Sequence, residues 1–241
     1  MSLIRLDDVT KNFGGLKAVS GLGFGVKKGE IVALIGPNGA GKTTVFNLVT
    51  GFLRPDQGRI NFDGHSLVGL KPHEVCQLGI TRTFQIVKPF SGLTVLENVM
   101  IGVFHLTKNV RAARKGAFET LDFLKLTHLK DKKASSLTIT NRKQLEIARA
   151  LAIQPKLLLL DEPMGGMNPI EAENMVAQIK KVRESGITII IIEHVMKAVM
   201  SLSDQVVVLH HGEKIAEGTP QEVTKNQDVI TAYLGEDYLV S

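Results

Sequence analysis

The sequence is poor in cysteine and lacks long apolar runs. The first feature argues against a disulfide-bonded protein and the second against a membrane-spanning one. Cys76 is the only cysteine among 241 residues, so no internal disulfide can form, and we expect a reducing compartment. No apolar run reaches the roughly 18 residues that a membrane-spanning helix needs. The N-terminal residues lack a signal-peptide pattern. Internal repeats, low-complexity tracts and Pro/Gly-rich linkers are also missing.

The overall composition is that of an ordinary globular protein. Hydrophobic residues make up 44% of the chain and charged residues 22%, and the length suits one large domain or two small ones. The formal net charge is +5 at pH 7. This mild basicity suits nucleic acid or an anionic membrane surface equally and identifies neither.

The most informative stretch is a glycine-rich segment at positions 36–44. It follows an apolar run, residues 31–35, that predicts a buried strand, and it precedes the apolar spacing of a helix. Glycines let the backbone turn tightly and aim its N–H groups inward, and a helix start adds partial positive charge. The segment therefore predicts a phosphate-binding loop formed by Gly36, Pro37, Asn38, Gly39, Ala40, Gly41, Lys42, Thr43 and Thr44.

Two side chains of this loop have specific chemistry. Lys42 has the length to reach the β and γ phosphates of a nucleotide, and the Thr43 hydroxyl can bind Mg²⁺. The alternative is a chance match in a turn. The position between a predicted strand and a predicted helix favours nucleotide binding.

Two carboxylates follow a second apolar run. Residues 157–160 are all leucine, which is typical of a parallel strand buried on both faces. Asp161 and Glu162 come directly afterwards, at the edge where doubly wound sheets bind ligands. Asp161 is predicted to hold Mg²⁺ and Glu162 to take a proton from water. The alternative is an acidic turn at the end of a strand.

Three further residues have weaker local signals. Phe13 lies at a turn between two segments with antiparallel strand patterns, and it could stack on an adenine or belong to a small core. Gln85 follows a short strand pattern and is indistinguishable from a solvated loop residue. His194 follows an apolar strand, residues 187–192, at the sheet edge expected for Asp161. The sequence alone allows either a structural or a functional role for His194.

The region 86–153 has helical rather than α/β patterning. Apolar periodicity predicts helices at 94–104 and 109–129, and Asn141 is predicted to cap a third helix that runs to residue 153. A basic cluster near the start of the second helix is read as a solvated face, with contact to lipid headgroups or a partner as the alternative. We predict one domain, 1–241, in which a helical subdomain (86–153) interrupts a core (1–85 and 154–241).

Taken together, these motifs resemble an ATP-binding cassette (ABC) ATPase over nearly the whole chain. Residues 36–44 match the phosphate loop of that family, and residues 157–162 match its second nucleotide strand. Gln85 matches the glutamine of the loop that joins core to helical insert. His194 matches the switch histidine, and Phe13 falls where the family has an adenine-stacking aromatic.

Three short segments look like the branched-chain amino acid importer group within that family. They are Arg-Thr-Phe-Gln at 82–85, Gly-Gly-Met-Asn-Pro at 165–169 and Tyr-Leu-Gly at 233–235. The resemblance implies a P-loop NTPase core with a mostly parallel sheet, an antiparallel β subdomain and an inserted α-helical subdomain.

The same resemblance implies an activity and its residues. We expect Mg²⁺-dependent ATP hydrolysis with Glu162 as general base. His194 would orient the γ-phosphate and the attacking water, and Gln85 would sense the metal. The metal residues would be Thr43, Gln85 and Asp161.

The resemblance also implies partners. Two ATPase subunits would sandwich two ATP molecules and act on separate integral membrane permease subunits, supplied indirectly by a solute-binding protein. The chain would lie on the cytoplasmic face of the cell membrane. The rival class, a soluble ATPase acting on nucleic acid, usually has two cassettes or long coiled-coil insertions, and this chain has neither, so we expect no nucleic acid partner.

The family signature, Leu-Ser-Gly-Gly-Gln, is degenerate in this chain. The aligned residues are Leu137, Thr138, Ile139, Thr140 and Asn141. Ile139 is bulky and β-branched, so we expect it to hinder close approach to a partner's γ-phosphate. This favours a heterodimer with a different cassette subunit, with a homodimer as the alternative. A second departure is Asn168, which stands where the family usually has an aspartate.

Overall fold

The computed structural model describes residues 2–85 and 87–237. Its ten strands, in these ranges, are β1 (Ser2–Phe13), β2 (Leu16–Lys27), β3 (Ile31–Ile35), β4 (Gln57–Phe62), β5 (His65–Ser66), β6 (Ile80–Arg82), β7 (Leu157–Asp161), β8 (Thr188–Ile192), β9 (Gln205–His210) and β10 (Glu213–Gly218). The helices are α1 (Lys42–Val49), α2 (Pro72–Gln77), α3 (Val95–Val103), α4 (Val110–Phe123), α5 (Ile139–Leu151), α6 (Pro169–Glu184), α7 (Met196–Leu202), α8 (Pro220–Val223) and α9 (Gln227–Asp237).

The larger sheet has six strands in the order β10-β9-β3-β8-β7-β6. Five of them run parallel, and β10 pairs antiparallel with β9. Positive φ angles at His211 and Gly212, 47° and 82°, form the tight turn of this predicted hairpin. The mostly parallel core that the apolar runs predicted is confirmed.

The central strands of this sheet are buried on both faces. Ile31, Ala33 and Ile35 of β3 face a core formed with the helices α3 to α7, and Val32 and Leu34 face a second core. The second core includes α1 and the smaller sheet, which is antiparallel with the order β2-β1-β4-β5. The antiparallel β portion predicted from the sequence is therefore present.

Because β3, β7 and β8 run parallel, their carboxyl ends meet at one edge of the sheet. The segments that follow them start at Gly36, Glu162 and Glu193. The register pairs Asp161 with Ile192 across β7 and β8. Residues that are far apart in the sequence are therefore neighbours at this edge.

Three helices, α3 to α5, lie between β6 and β7, as the periodicity predicted. The predicted start of the third helix is wrong: α5 begins at Ile139, and Thr138 caps it with a hydroxyl that accepts a hydrogen bond from the Asn141 N–H at 3.2 Å. The reason is that the Thr138 backbone is still extended, with ψ 164°, which is where a capping hydroxyl reaches the free N–H groups.

The predicted helix over 109–129 is also too long. Helix α4 ends at Phe123, and Lys125 has a left-handed φ of 59° that stops the helix. A single 3₁₀ turn, Thr127–Leu129, follows. Leu124, Leu126 and Leu129 are buried all the same, so the apolar pattern was correct although the helix is broken. The division into a core and a helical subdomain stays a prediction. Within the described ranges, no helix has the length and hydropathy to cross a membrane.

Candidate active site

The glycine-rich segment forms a loop between β3 and α1. Gly36 and Gly41 have φ angles of 147° and 101°, in the region that favours glycine. A Cβ atom would overlap the Leu209 carbonyl oxygen at Gly36 and the Ala18 carbonyl oxygen at Gly41. These two positions therefore require glycine both for conformation and for space. The loop leads directly into the N-terminus of α1, and a helix N-terminus favours negative charge.

Lys42 is the first residue of α1 and folds back over this loop. Its ammonium donates hydrogen bonds to the carbonyl oxygens of Gly36 and Pro37, both at 2.7 Å. The positive charge is therefore held against the start of the loop. An anionic ligand would meet the charge and the N–H groups together.

A cleft of about 440 Å³ contains this loop. The described residues that line it include those at 38–44, together with Phe13, Gln85 and Glu162. A volume of this size suits a small-molecule ligand. Phe13 is 47% exposed, with the Lys11 ammonium 5.8 Å from its ring centroid. The structure thus brings together four features that are widely separated in the sequence.

His211 also lines this cleft and was not among the predicted site residues. It lies in the turn between β9 and β10, which the Ser20 N–H holds through a hydrogen bond of 2.8 Å to the Gly212 carbonyl. The sequence has a signal for the turn but none for its position beside the phosphate loop.

Asp161 is paired with Arg82 in a buried ion pair. Arg82 Nη2 lies 2.9 Å from Asp161 Oδ2, and their side chains are 5% and 2% exposed. Burial raises the pKa of Asp161, and the guanidinium opposes that rise. Arg82 also donates to Asn47 Oδ1 at 2.6 Å, and the Asp161 N–H donates to Thr83 Oγ1. The predicted metal carboxylate is therefore held by Arg82 of β6, which Asn47 of α1 holds in turn. Arg82 was not predicted as a site residue.

Glu162 lies at the start of the loop after β7, with a left-handed φ of 48°. Its N–H donates to the Ile192 carbonyl at 2.9 Å. Its carboxylate oxygen Oε2 accepts a hydrogen bond from Gln85 Nε2 at 3.1 Å. The structure therefore places the two predicted residues in direct contact at the cleft.

His194 lies at the predicted sheet edge but is not among the described residues that line the cleft. Its side chain is 64% exposed. The neighbouring Glu193 is buried, and its carboxylate accepts hydrogen bonds from the N–H groups of Met164, His194 and Val195. Glu193, which the sequence reasoning missed, therefore fixes the backbone that carries His194.

The five signature residues surround the start of α5. Ile139 is 66% exposed, Leu137 is buried, and Thr140 donates to Glu171 Oε1 at 2.8 Å. Among the described residues that line the phosphate-loop cleft, none belongs to this group. The signature segment thus presents an exposed isoleucine at a helix start.

Comparisons with known proteins agree with this geometry. The profile described as "ABC transporter" matches residues 19–165. A second profile, described as "Branched-chain amino acid ATP-binding cassette transporter", matches residues 213–238. The chain is 41% identical to the high-affinity branched-chain amino acid transport ATP-binding protein BraF of Pseudomonas aeruginosa, over 97% of this chain and 98% of that protein. It is 39% identical to a probable branched-chain amino acid transport ATP-binding protein, LivG, of Archaeoglobus fulgidus, over 98% and 96%.

Solved structures resemble the fold closely. A nucleotide-free ATP-binding cassette from an ABC transporter has a TM-score of 0.89 and 36% identity, covering 97% of this chain and 99% of that one. A dimeric cassette in a post-hydrolysis state, bound to ADP and Pi, has a TM-score of 0.81 and 26% identity, covering 90% and 98%. The chain therefore belongs to the ABC transporter family, as an ATP-binding cassette subunit.

Proposed function

We propose that this chain is the ATP-hydrolysing subunit of a branched-chain amino acid importer and acts from the cytoplasmic face of the membrane. The observation that carries the ATPase assignment is the single cleft that unites the phosphate loop, Phe13 and the hydrogen-bonded pair of Gln85 and Glu162. The substrate class is supported by the match at 213–238 and by the names of the relatives.

Nucleotide binding is assigned to the loop and to Phe13. The N–H groups at 38–44 and the start of α1 bind the phosphates, and the Lys42 ammonium neutralises their charge. Phe13, at the mouth of the cleft, stacks on the adenine face.

The residues present fit a magnesium ion. Thr43, Gln85 and Asp161 offer hydroxyl, amide and carboxylate oxygens, and all three line a larger cavity next to the phosphate loop. Mg²⁺ is typically held by one or two carboxylates together with substrate phosphates. When bound, the ion supplies charge neutralisation at the phosphates.

Glu162 is assigned the proton transfer from the attacking water, and Gln85 holds its carboxylate in the cleft at 3.1 Å. His194 is assigned the orientation of the γ-phosphate and the water. Since its side chain is exposed outside the cleft, we expect it to take this role in the assembled, nucleotide-bound dimer.

Replacing Glu162 by glutamine tests the assignment. The amide retains the shape of the side chain but cannot accept the proton, so ATP affinity should be kept while turnover falls by about 10²–10⁴-fold. The matched control is Glu173→Gln, since Glu173 is an exposed residue paired with Lys197 on the surface. Hydrolysis by the assembled transporter near the wild-type rate in Glu162→Gln would refute the role.

The degenerate signature supports a heterodimer with a different cassette subunit. An exposed Ile139 at the helix start hinders the approach of backbone N–H groups to a partner's γ-phosphate. A lost hydrogen bond to a charged phosphate is worth about 1.5–3 kcal/mol, a factor of roughly 10–150 in dimer closure. In a homodimer both sites would lose this contact, whereas in a heterodimer only the partner's site would.

Restoring the family signature at 138–141 tests this arrangement. Hydrolysis at the partner's site should rise, and hydrolysis at this chain's own phosphate loop should change little. If a purified homodimer of the unaltered chain hydrolyses ATP as fast as the assembled complex, the asymmetric arrangement is wrong.

The permease subunits are assigned to the surface between the core and the helices α3 to α5. The cavity that Thr43, Gln85 and Asp161 line has a volume of about 840 Å³, and Phe52, Phe84, Lys88 and Arg149 are also among its lining residues. Phe52 and Phe84 are about half exposed and their rings meet edge to face. Apolar surface of this kind beside Gln85 suits a docked membrane-protein loop that moves with the nucleotide site.

A further inference from the structure

Two charged side chains of α5 contact the backbone next to the residues assigned to catalysis. Lys143 and Glu146 are three positions apart and therefore share one face of the helix. Among the described residues that line the phosphate-loop cleft, neither appears. Their contacts are instead with the two loops that carry Glu162 and Gln85.

Lys143 holds the turn that begins at Glu162. Its ammonium donates to the carbonyl oxygens of Glu162 and Gly165, both at 2.7 Å. The Gly165 N–H closes the same turn on the Glu162 carbonyl at 3.2 Å. Glu162 has a left-handed backbone, which costs free energy for a residue with a side chain. The double contact from Lys143 stabilises this conformation, together with the bond from the Glu162 N–H to the Ile192 carbonyl.

Glu146 holds the loop that carries Gln85. It is 8% exposed, and its Oε1 accepts a hydrogen bond from the Phe84 N–H at 2.9 Å. Phe84 directly precedes Gln85, whose side chain donates to Glu162. Three contacts therefore join these residues in a ring. Lys143 of α5 bonds the Glu162 backbone, the Glu162 carboxylate bonds the Gln85 side chain, and Glu146 of α5 bonds the N–H of Phe84, next to Gln85.

We propose that Lys143 and Glu146 are positioning residues for ATP hydrolysis, which together fix the Glu162 loop and the Gln85 loop on the helix that begins at the signature. The proposal rests on the roles proposed above for Glu162 and Gln85. The two loops follow different strands, β7 and β6, and α5 contacts both of them. Loss of either contact frees one loop from α5, while the Gln85–Glu162 hydrogen bond and the contacts of Asp161 with Arg82 and Thr83 still join the two loops.

This arrangement predicts a specific kinetic effect. A displacement of about 1 Å in a reacting group can cost on the order of 10²-fold in rate. ATP binding depends on the phosphate loop and Phe13, which Lys143 and Glu146 do not contact in any described hydrogen bond. Removing either side chain should therefore lower kcat and leave the KM for ATP nearly unchanged.

The experiment compares Lys143→Met, Glu146→Ala and Glu146→Gln in the assembled transporter. Lys143→Met and Glu146→Ala should each lower kcat by roughly tenfold or more, with KM for ATP within about twofold of wild type. Glu146→Gln should restore most of the rate, because its amide oxygen can still accept from the Phe84 N–H. The matched control is Gln144→Ala on the same helix, where Gln144 contacts Gln178 of α6 instead; its kcat should equal that of wild type.

A kcat in Lys143→Met and Glu146→Ala equal to that of the control would overturn the proposal. So would a rise in KM that accounts for the whole loss. If Lys143→Met does not fold, Lys143→Gln decides, because its shorter amide cannot span both carbonyls: a reduced kcat at unchanged KM supports positioning, and a wild-type kcat refutes it.

Glu162→Gln separates this inference from the assignment on which it rests. If Glu162→Gln hydrolyses ATP at the wild-type rate, the proposed role of Glu162 fails. If Glu162→Gln is inactive while Lys143→Met and Glu146→Ala match the Gln144→Ala control, only the positioning role fails.

Discussion

Glutamine in place of Glu146 is expected to remove a pH-dependent loss of stability. Burial raises the pKa of this carboxyl group to about 7 from 4.5, and the Phe84 N–H and the cations Arg149, Lys143 and Arg82 oppose the rise. Lys143 and Arg149 lie on the same helix, and Arg82 approaches from β6. Desolvation therefore raises the pKa of Glu146 by more than the hydrogen bond and the cations lower it.

Proton linkage determines whether Glu146 stabilises the fold more at low or at high pH. Because the pKa of Glu146 is higher in the folded protein than in the unfolded chain, the folded state binds the proton more tightly. Its contribution is fully present below pH 4.5 and is lost as the pH rises through about 7. At about 1.4 kcal/mol per pKa unit, the gap corresponds to about 3 kcal/mol. Glutamine does not titrate, so this loss disappears in Glu146→Gln.

Urea unfolding of wild type and Glu146→Gln between pH 5 and pH 8 measures the effect. The free energy of unfolding of the variant, relative to wild type, should increase by up to about 3 kcal/mol from the lower to the higher pH. The control is Glu119→Gln, since Glu119 is exposed on α4; its difference from wild type should stay within about 0.5 kcal/mol. A Glu146→Gln difference that is constant across this range would refute the reasoning.

Three further results are expected. Lys42→Ala should weaken ATP binding roughly tenfold or more, because a charge-assisted phosphate contact of about 1.5–3 kcal/mol is lost; unchanged affinity by calorimetry would contradict the assignment. Asn98→Ala should lower the free energy of unfolding by about 2–4 kcal/mol, because the fully buried amide bonds both the N–H and the carbonyl of Phe90; a urea midpoint equal to that of wild type would exclude this. Cysteines at Lys88 or Ser91 should crosslink to a cytoplasmic loop of a permease subunit. Efficient crosslinks only at other surfaces would show that the proposed location of the interface is wrong.

Much of the sheet could be predicted from the sequence because it depends on local patterns. The apolar runs at β3, β7 and β8 do not alternate with polar residues, and this pattern is typical of strands that are buried on both faces of a sheet. Because these strands run parallel, their carboxyl ends bring the phosphate loop and Glu162 to one edge. The contact between Gln85 and Glu162 needed the three-dimensional structure, since Gln85 has no local signal.

The errors at helix ends have a local cause. Both Thr138 and Asn141 can cap a helix, and the sequence does not show which of them still has an extended backbone. The predicted helix over 109–129 was too long because Lys125 takes a left-handed conformation. Glycine is the usual sequence signal for that conformation, and position 125 is a lysine. Helix boundaries depend on single backbone angles, whereas buried faces depend on many residues together.

Arg82 shows most clearly what tertiary structure adds to the candidate site. Its guanidinium contacts Asp161 and Asn47 and lies 4.6 Å from the Phe84 ring centroid. The predicted metal carboxylate, the phosphate-binding helix and the segment before Gln85 thus meet at one cation. Because burial raises the pKa of Asp161 and Arg82 opposes it, the guanidinium favours the ionised carboxylate that a divalent cation requires. Any ligand of Asp161 would meet a carboxylate that is already paired with Arg82, so its binding and the position of the segment before Gln85 are physically linked through one side chain.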